Sequence, residues 1–228
     1  MFLIIQNDRK CPPGSITSLL EAAGQTYRCA HAYAQEPLPD PASLTGVIVL
    51  GGEMGAHDTV RFPYLETVGD FMVRSHEAGT PLLGICLGGQ LLAKVTGGVV
   101  SSPSPHGEQG ICRVLLNDAG AADPLFSGVD REFVTFQLHN DSFTPPAAAA
   151  LLAASPVCPA QAFRLGATTY GVQFHPEVDH AIVSSWGRIS TPPCDLLTGF
   201  RSQEEAFRAS STAILSNFIS LALATRIP

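Results

Sequence analysis

The stretch Pro81-Leu82-Leu83-Gly84-Ile85-Cys86-Leu87-Gly88-Gly89-Gln90-Leu91-Leu92-Ala93-Lys94-Val95 decides the fold of this chain. An apolar run of strand length enters it. Small residues then crowd around one cysteine, and a helix-like apolar segment leaves it. A cysteine between glycines at a strand-to-helix turn is a nucleophile elbow, a sharp turn that aims one side chain into a cleft. The start of the following helix offers unpaired N–H groups and the positive end of a dipole, which favour a thiolate and later an oxyanion.

Working outward, Phe2-Leu3-Ile4-Ile5 and Val47-Ile48-Val49-Leu50 read as buried strands, the second ending in Gly51-Gly52. A strand is expected over 27–33, and helices over 15–24, with Ser15 as N-cap, and over 63–78. Short apolar strands alternating with helices imply a parallel sheet covered on both faces. The fold class is therefore α/β, three-layered, with a mostly parallel central sheet. The segment 98–172 has another texture. Val99-Val100, 112–116, 133–137, Leu151-Leu152 and 160–165 are strand-like runs between turns, which suggests an antiparallel or mixed extension of the sheet. A coil-like stretch over 190–197 precedes helical spacing over 203–224. No internal repeat interrupts the pattern, and residues 1–228 are expected to form a single domain.

Composition narrows the function. The 228 residues carry a net charge of −7 and no basic cluster, which argues against nucleic acid as a partner. The run Phe2–Ile5 is too short for a signal peptide or a membrane span. Six cysteines, at 11, 29, 86, 112, 158 and 194, lack zinc-type spacing and a compact disulfide framework. The expectation is a reduced, cytoplasmic chain with one working thiol, Cys86, and five bystander cysteines.

A cysteine nucleophile needs a base, and the base needs a group that holds its tautomer. Gly171-Val172-Gln173-Phe174-His175-Pro176-Glu177 supplies both. With 172–174 read as a strand end, His175 falls at the carboxyl edge of the sheet, where open α/β folds bind ligands. Glu177, two residues on, is placed to stand behind the imidazole. Cys86, His175 and Glu177 are thus the candidate catalytic residues, with the Leu87 N–H as an oxyanion donor.

Gly84-Ile85-Cys86-Leu87-Gly88-Gly89-Gln90 together with Gln173-Phe174-His175-Pro176-Glu177 resembles the class I glutamine amidotransferase family, in particular stand-alone members similar to the amidotransferase domain of GMP synthase. Gly51-Gly52, Glu108-Gln109-Gly110, His139-Asn140-Asp141, Gln161-Ala162-Phe163 and Trp186 extend the resemblance over nearly the whole chain. It implies thiolate attack on a γ-carboxamide, release of ammonia, and hydrolysis of a γ-glutamyl thioester. It also implies Gly52 as the second oxyanion donor. Gln90, one turn beyond Cys86, and Asn140 and Asp141 are the expected holders of the substrate's amino-acid end. The expected ligand is L-glutamine or another γ-glutamyl amide, with no cofactor and no metal.

The chain departs from the resemblance in three places. Glu53 follows Gly-Gly where proline is usual, and a carboxylate turned inward there would raise the thiol pKa. Asn140 stands where glycine is common, which narrows the amino-acid pocket. Glu108 lies in a varied context and reads as a structural residue or as one standing just behind the site residues. No phosphate-binding Walker loop is present, and the remaining residues leave no room for an ATP-pyrophosphatase segment. Three classes follow: a glutaminase that delivers ammonia to a separate synthetase chain, a free-standing hydrolase of γ-glutamyl amides or peptides, and a non-catalytic regulatory or binding protein of the same fold. An intact Cys-His-Glu set speaks against the last.

Overall fold

The computed structural model describes residues 1–189 and 194–225. Its strands are β1 (Phe2–Gln6), β2 (Tyr27–His31), β3 (Gly46–Val49), β4 (Leu82–Ile85), β5 (Val99–Ser101), β6 (Glu108–Leu116), β7 (Glu132–His139), β8 (Ser142–Thr144), β9 (Ala150–Ala154), β10 (Ala162–Leu165) and β11 (Thr169–Val172). The helices are α1 (Ser15–Ala22), α2 (Tyr64–Glu77), α3 (Leu87–Val95), α4 (Asp118–Ala121), α5 (His180–Ile189), α6 (Leu196–Ser202) and α7 (Glu204–Ala224).

Nine strands form one sheet in the order β2-β1-β3-β4-β11-β10-β9-β6-β7. The first five run parallel. From β11 onward each neighbour is antiparallel. The expected parallel core with a mixed extension is thus present, and the change of direction falls between β11 and β10. β5 does not join this sheet as expected; it pairs with β8 in a separate two-stranded ribbon.

Alternation of side chains explains the layers. Phe2, Ile4, Ile48 and Ile85 point to one face, where they pack with Ile16 and Leu20 of α1 and Ile214, Leu215 and Phe218 of α7. Leu3, Ile5, Val47 and Val49 point to the other, against Val68 and Phe71 of α2 and Leu91 and Leu92 of α3. Strands buried on both faces need continuous apolar runs, which is why β1, β3 and β4 are legible. A third cluster joins α5 and α6 to the antiparallel end through Phe136, Trp186, Phe200 and Phe207.

Several boundaries differ from expectation. Gly14, not Ser15, is the N-cap of α1. β2 ends at His31, and a helical turn, Ala32–Ala34, replaces its last residues. β11 ends at Val172, so Gln173 and Phe174 already form the bend that carries His175 outward. The region expected as coil includes the start of α6, and its residues 190–193 lie outside the described residues. Among the described residues, no helix is long and apolar enough to cross a membrane.

Candidate active site

The elbow has the expected form. Cys86 follows β4 directly and caps α3 at φ 51°, a conformation that side chains normally avoid. Its N–H donates to the Val172 carbonyl at 2.8 Å, and its carbonyl accepts the first helical bond, from Gln90 N–H at 2.8 Å. The glycines let α3 sit directly on the strand ends: a Cβ on Gly88 would lie 2.2 Å from the Val49 carbonyl oxygen. Leu87 therefore begins α3 with its N–H at the mouth of the turn.

β4 and β11 are neighbours in the sheet, with Ile85 opposite Val172. That pairing brings together two segments remote in sequence. The His175 N–H donates to the Phe136 carbonyl at 2.8 Å, which fixes the backbone beyond β11. Its Nδ1–H donates to Glu177 Oε1 at 2.8 Å, and both side chains are buried. Glu177 Oε2 makes no hydrogen bond among the described residues. Burial opposes the imidazolium. The charge of Glu177, followed by the charge and hydrogen bond of Cys86, outweighs it and pushes the His175 pKa up to about 10. The indole of Trp186 stands edge-on to the ring, with centroids 4.9 Å apart.

The Gly51-Gly52 turn closes over this group. A Cβ on Gly51 would lie 3.0 Å from the imidazole Cε1 and 3.6 Å from Cys86 Cβ. One on Gly52 would lie 2.8 Å from the Leu87 side chain. The Gly51 position leaves little room beside the His175 ring, whereas a Cβ on Gly52 would meet the ends of the Met54 and Leu87 side chains. Glu53 does not turn inward: its exposed carboxylate pairs with the Lys10 ammonium. Proline is absent there, and the free Glu53 N–H donates to Asp8 Oδ2 at 3.1 Å.

Cys86, His175, Gly52, Gln90, Asn140 and Asp141 all line one cleft of about 730 Å³. Gln90 is buried, and its amide donates to the Asp141 carbonyl at 3.3 Å and to Gln173 Oε1 at 3.4 Å. The same Asp141 carbonyl accepts from His139 Nδ1–H at 2.9 Å. Asn140 is exposed at the rim, whereas Asp141 is half-buried. Asp141 Oδ2 and Asp58 Oδ2 converge on Gly55, 3.3 and 3.4 Å from where a Cβ would stand. Glu108 is buried and accepts from Ser155 Oγ at 2.8 Å and from the Gln161 amide, with His139 Nε2 at 3.5 Å. It ties β6 to the segment between β9 and β10, and it also lines the cleft.

Sequence reasoning missed Asp8, Lys10, Cys11 and Asp58, and gave Trp186 no role; all line the cleft. Asp8 to Cys11 follow the carboxyl end of β1, the kind of position where such sheets gather ligand-facing loops, so a signal existed. Cys11 is a second thiol in the cleft, but burial and then the Asp8 charge push its pKa well up. All six cysteines are free. Burial also raises Cys29, Cys112 and Cys158, which suits them as bystanders.

The family model "Glutamine amidotransferase class-I" matches residues 15–183. The chain is 33% identical over 147 residues to one subunit of the glutamine-hydrolysing GMP synthase of Archaeoglobus fulgidus, covering 64% of this chain and 73% of that protein. It is 40% identical over 106 residues to the glutamine-hydrolysing GMP synthase of Caldanaerobacter subterraneus. That match covers 46% of this chain and only 20% of the longer protein. The solved glutamine amidotransferase of Thermotoga maritima superposes with a TM-score of 0.87 at 23% identity, over 97% of both chains. That of Methylobacillus flagellatus gives 0.79 at 27% identity, over 98% of this chain and 92% of that one.

Proposed function

The chain belongs to the class I glutamine amidotransferase family, and we propose that it hydrolyses the γ-amide of L-glutamine through a Cys86 thioester and releases ammonia to an acceptor on a separate chain. The observation that carries this reading is the cysteine at a strained elbow and the imidazole beside it, both lining one cleft, with the Glu177 carboxylate buried behind the ring. Cys86 Sγ adds to the γ-carbonyl carbon. The N–H groups of Leu87 and Gly52 hold the oxyanion. His175 gives its proton to the departing nitrogen, the C–N bond breaks, and ammonia leaves. His175 then takes a proton from water, whose oxygen displaces the sulfur to give glutamate. Glu177 keeps the ring in one tautomer and steadies its charge.

Gln90, Asn140 and Asp141 hold the amino-acid end, with the Asp141 carboxylate on the α-ammonium. The Archaeoglobus relative is named as one subunit of its enzyme, which supports a separate synthetase partner. A second reading, hydrolysis of larger γ-glutamyl amides, is favoured by the cleft, whose roughly 730 Å³ exceeds what one amino acid needs. The test is mass spectrometry after exposure to a glutamine-mimicking electrophile, together with hydrolysis of a γ-glutamyl amide panel. Label on Cys86, and loss of turnover in a folded Cys86→Ala variant, are expected. Normal turnover in that variant refutes the nucleophile. A panel in which a substituted amide outruns glutamine favours the second reading.

A further inference from the structure

The loop between β1 and α1 together with the first residue of α1, residues 7–15, carries no reacting group, yet it meets the site on two sides. On one side it holds the Gly51-Gly52 turn. The Asn7 amide donates to the Leu50 carbonyl at 2.7 Å, just before the turn. Just after it, Asp8 Oδ2 accepts from the Glu53 N–H at 3.1 Å, and Lys10 pairs with the Glu53 carboxylate. Both ends of the turn are therefore tied to the same loop.

On the other side the loop holds the imidazole and its carboxylate. The Lys10 carbonyl accepts from the Trp186 indole N–H at 2.7 Å, and that indole stands against His175. The N–H and hydroxyl of Ser15 both donate to the Glu177 carbonyl, at 2.9 and 3.2 Å. Gly14, at φ 51°, approaches this carbonyl so closely that a Cβ would stand 2.0 Å from its oxygen. Only glycine permits that approach.

Acyl transfer needs oxyanion donors and base in one frame, held to roughly 0.5 Å. Here each lies on a turn beyond a strand end, where the sheet supplies one hold, the Phe136 carbonyl on the His175 N–H and the Ile5 carbonyl on the Leu50 N–H, and the 7–15 segment supplies the others. Resting on the reading above, in which Gly52 and His175 serve the same reaction, we infer that the 7–15 loop is the frame that sets these two turns relative to each other. Asn7 and Trp186 are the positioning residues at its two contacts.

Two measurements on the full chain separate the contacts. Hydrolysis of glutamine needs both base and oxyanion donors. Alkylation of Cys86 by iodoacetamide, a displacement at a saturated carbon, needs the thiolate and its imidazole but no oxyanion donor. Asn7→Ala, which alters no charge, is expected to lower kcat about tenfold, to change KM by less than about twofold, and to leave the Cys86 alkylation rate as it was. Trp186→Phe, which keeps a ring edge on His175 but removes the N–H that the Lys10 carbonyl accepts, is expected to slow both hydrolysis and alkylation severalfold, and Trp186→Leu to slow both about tenfold. Full activity in Trp186→Phe denies the loop its part on this side. If Asn7→Ala does not fold, Asp8→Ala removes the other tie to the same turn, the one that accepts from the Glu53 N–H. The inference is overturned if the oxyanion-side variant slows alkylation as much as hydrolysis, or if neither side alters kcat. Failure of the underlying reading looks different: hydrolysis survives in Cys86→Ala, or Cys86 is alkylated no faster than the other cysteines.

Discussion

Cys86 carries its side chain on a backbone that glycine would adopt at lower cost. At φ 51° and ψ −109° it stands in territory that costs a side chain about 1–3 kcal/mol. Removing the sulfur as alanine keeps the strain, and removing it as glycine relieves it. Cys86→Gly is therefore expected to melt above Cys86→Ala by an amount equivalent to about 1 kcal/mol, after allowing for glycine's greater unfolded entropy. Neither variant turns over. Calorimetry of the pair checks this, and equal melting temperatures deny that the elbow is strained. Glu177→Gln preserves shape but removes the charge behind His175. Its kcat is expected to fall about a hundredfold or more, with the fold intact by circular dichroism. At this scale the candidate site was legible, because Cys86 and His175 sit in short motifs at strand ends. Asn7 and Trp186 were not, because their contacts run to main-chain carbonyls of distant segments.

Elements were legible where burial is symmetrical. β1, β3 and β4 are apolar on both faces and stand out as runs. β8 is three residues long and takes its identity from pairing with β5, which no local pattern announces. α5 could have been found: Ile182, Val183 and Trp186 have helical spacing, and Asp179 Oδ1 caps the Ile182 N–H at 2.9 Å. The junction of α3 with the sheet makes a further test. Gly88→Ala would set a methyl 2.2 Å from the Val49 carbonyl oxygen, backbone that cannot yield. The helix must lift off the strand ends. A loss of about 3 kcal/mol in denaturant unfolding is expected, with a larger loss of activity than of fold, since Leu87 moves with the helix. Unchanged activity there contradicts the part assigned to the Leu87 N–H.

At the scale of the molecule, the buried imidazole couples charge to stability. The His175 pKa is about 10 in the folded chain and near 6.5 when unfolded. Its contribution is thus full below about pH 6.5 and is lost as pH rises through the folded value. The melting temperature is expected to decline between those limits. His175→Gln is expected to decline less steeply over the same range. Parallel slopes for the two proteins would show that the ring holds no such proton. The sheet itself was half legible. Its parallel part follows from local runs, but the order β11-β10-β9-β6-β7 rests on pairings between remote segments, and their register is set by tertiary packing.

β4 and β11 lie side by side although the chain leaves the first for a long excursion before returning to the second. Cys86 and His175 hang from that one seam, whereas His139, Asn140 and Asp141 belong to the excursion. Under the proposed roles, the holders of the substrate's amino-acid end are split between the excursion, with Asn140 and Asp141, and the helix of the elbow, with Gln90, whose amide joins the two at the Asp141 carbonyl. Changes at 140–141 can therefore retune which amide is chosen, but the excursion cannot be exchanged whole, because its Phe136 carbonyl anchors the backbone of His175.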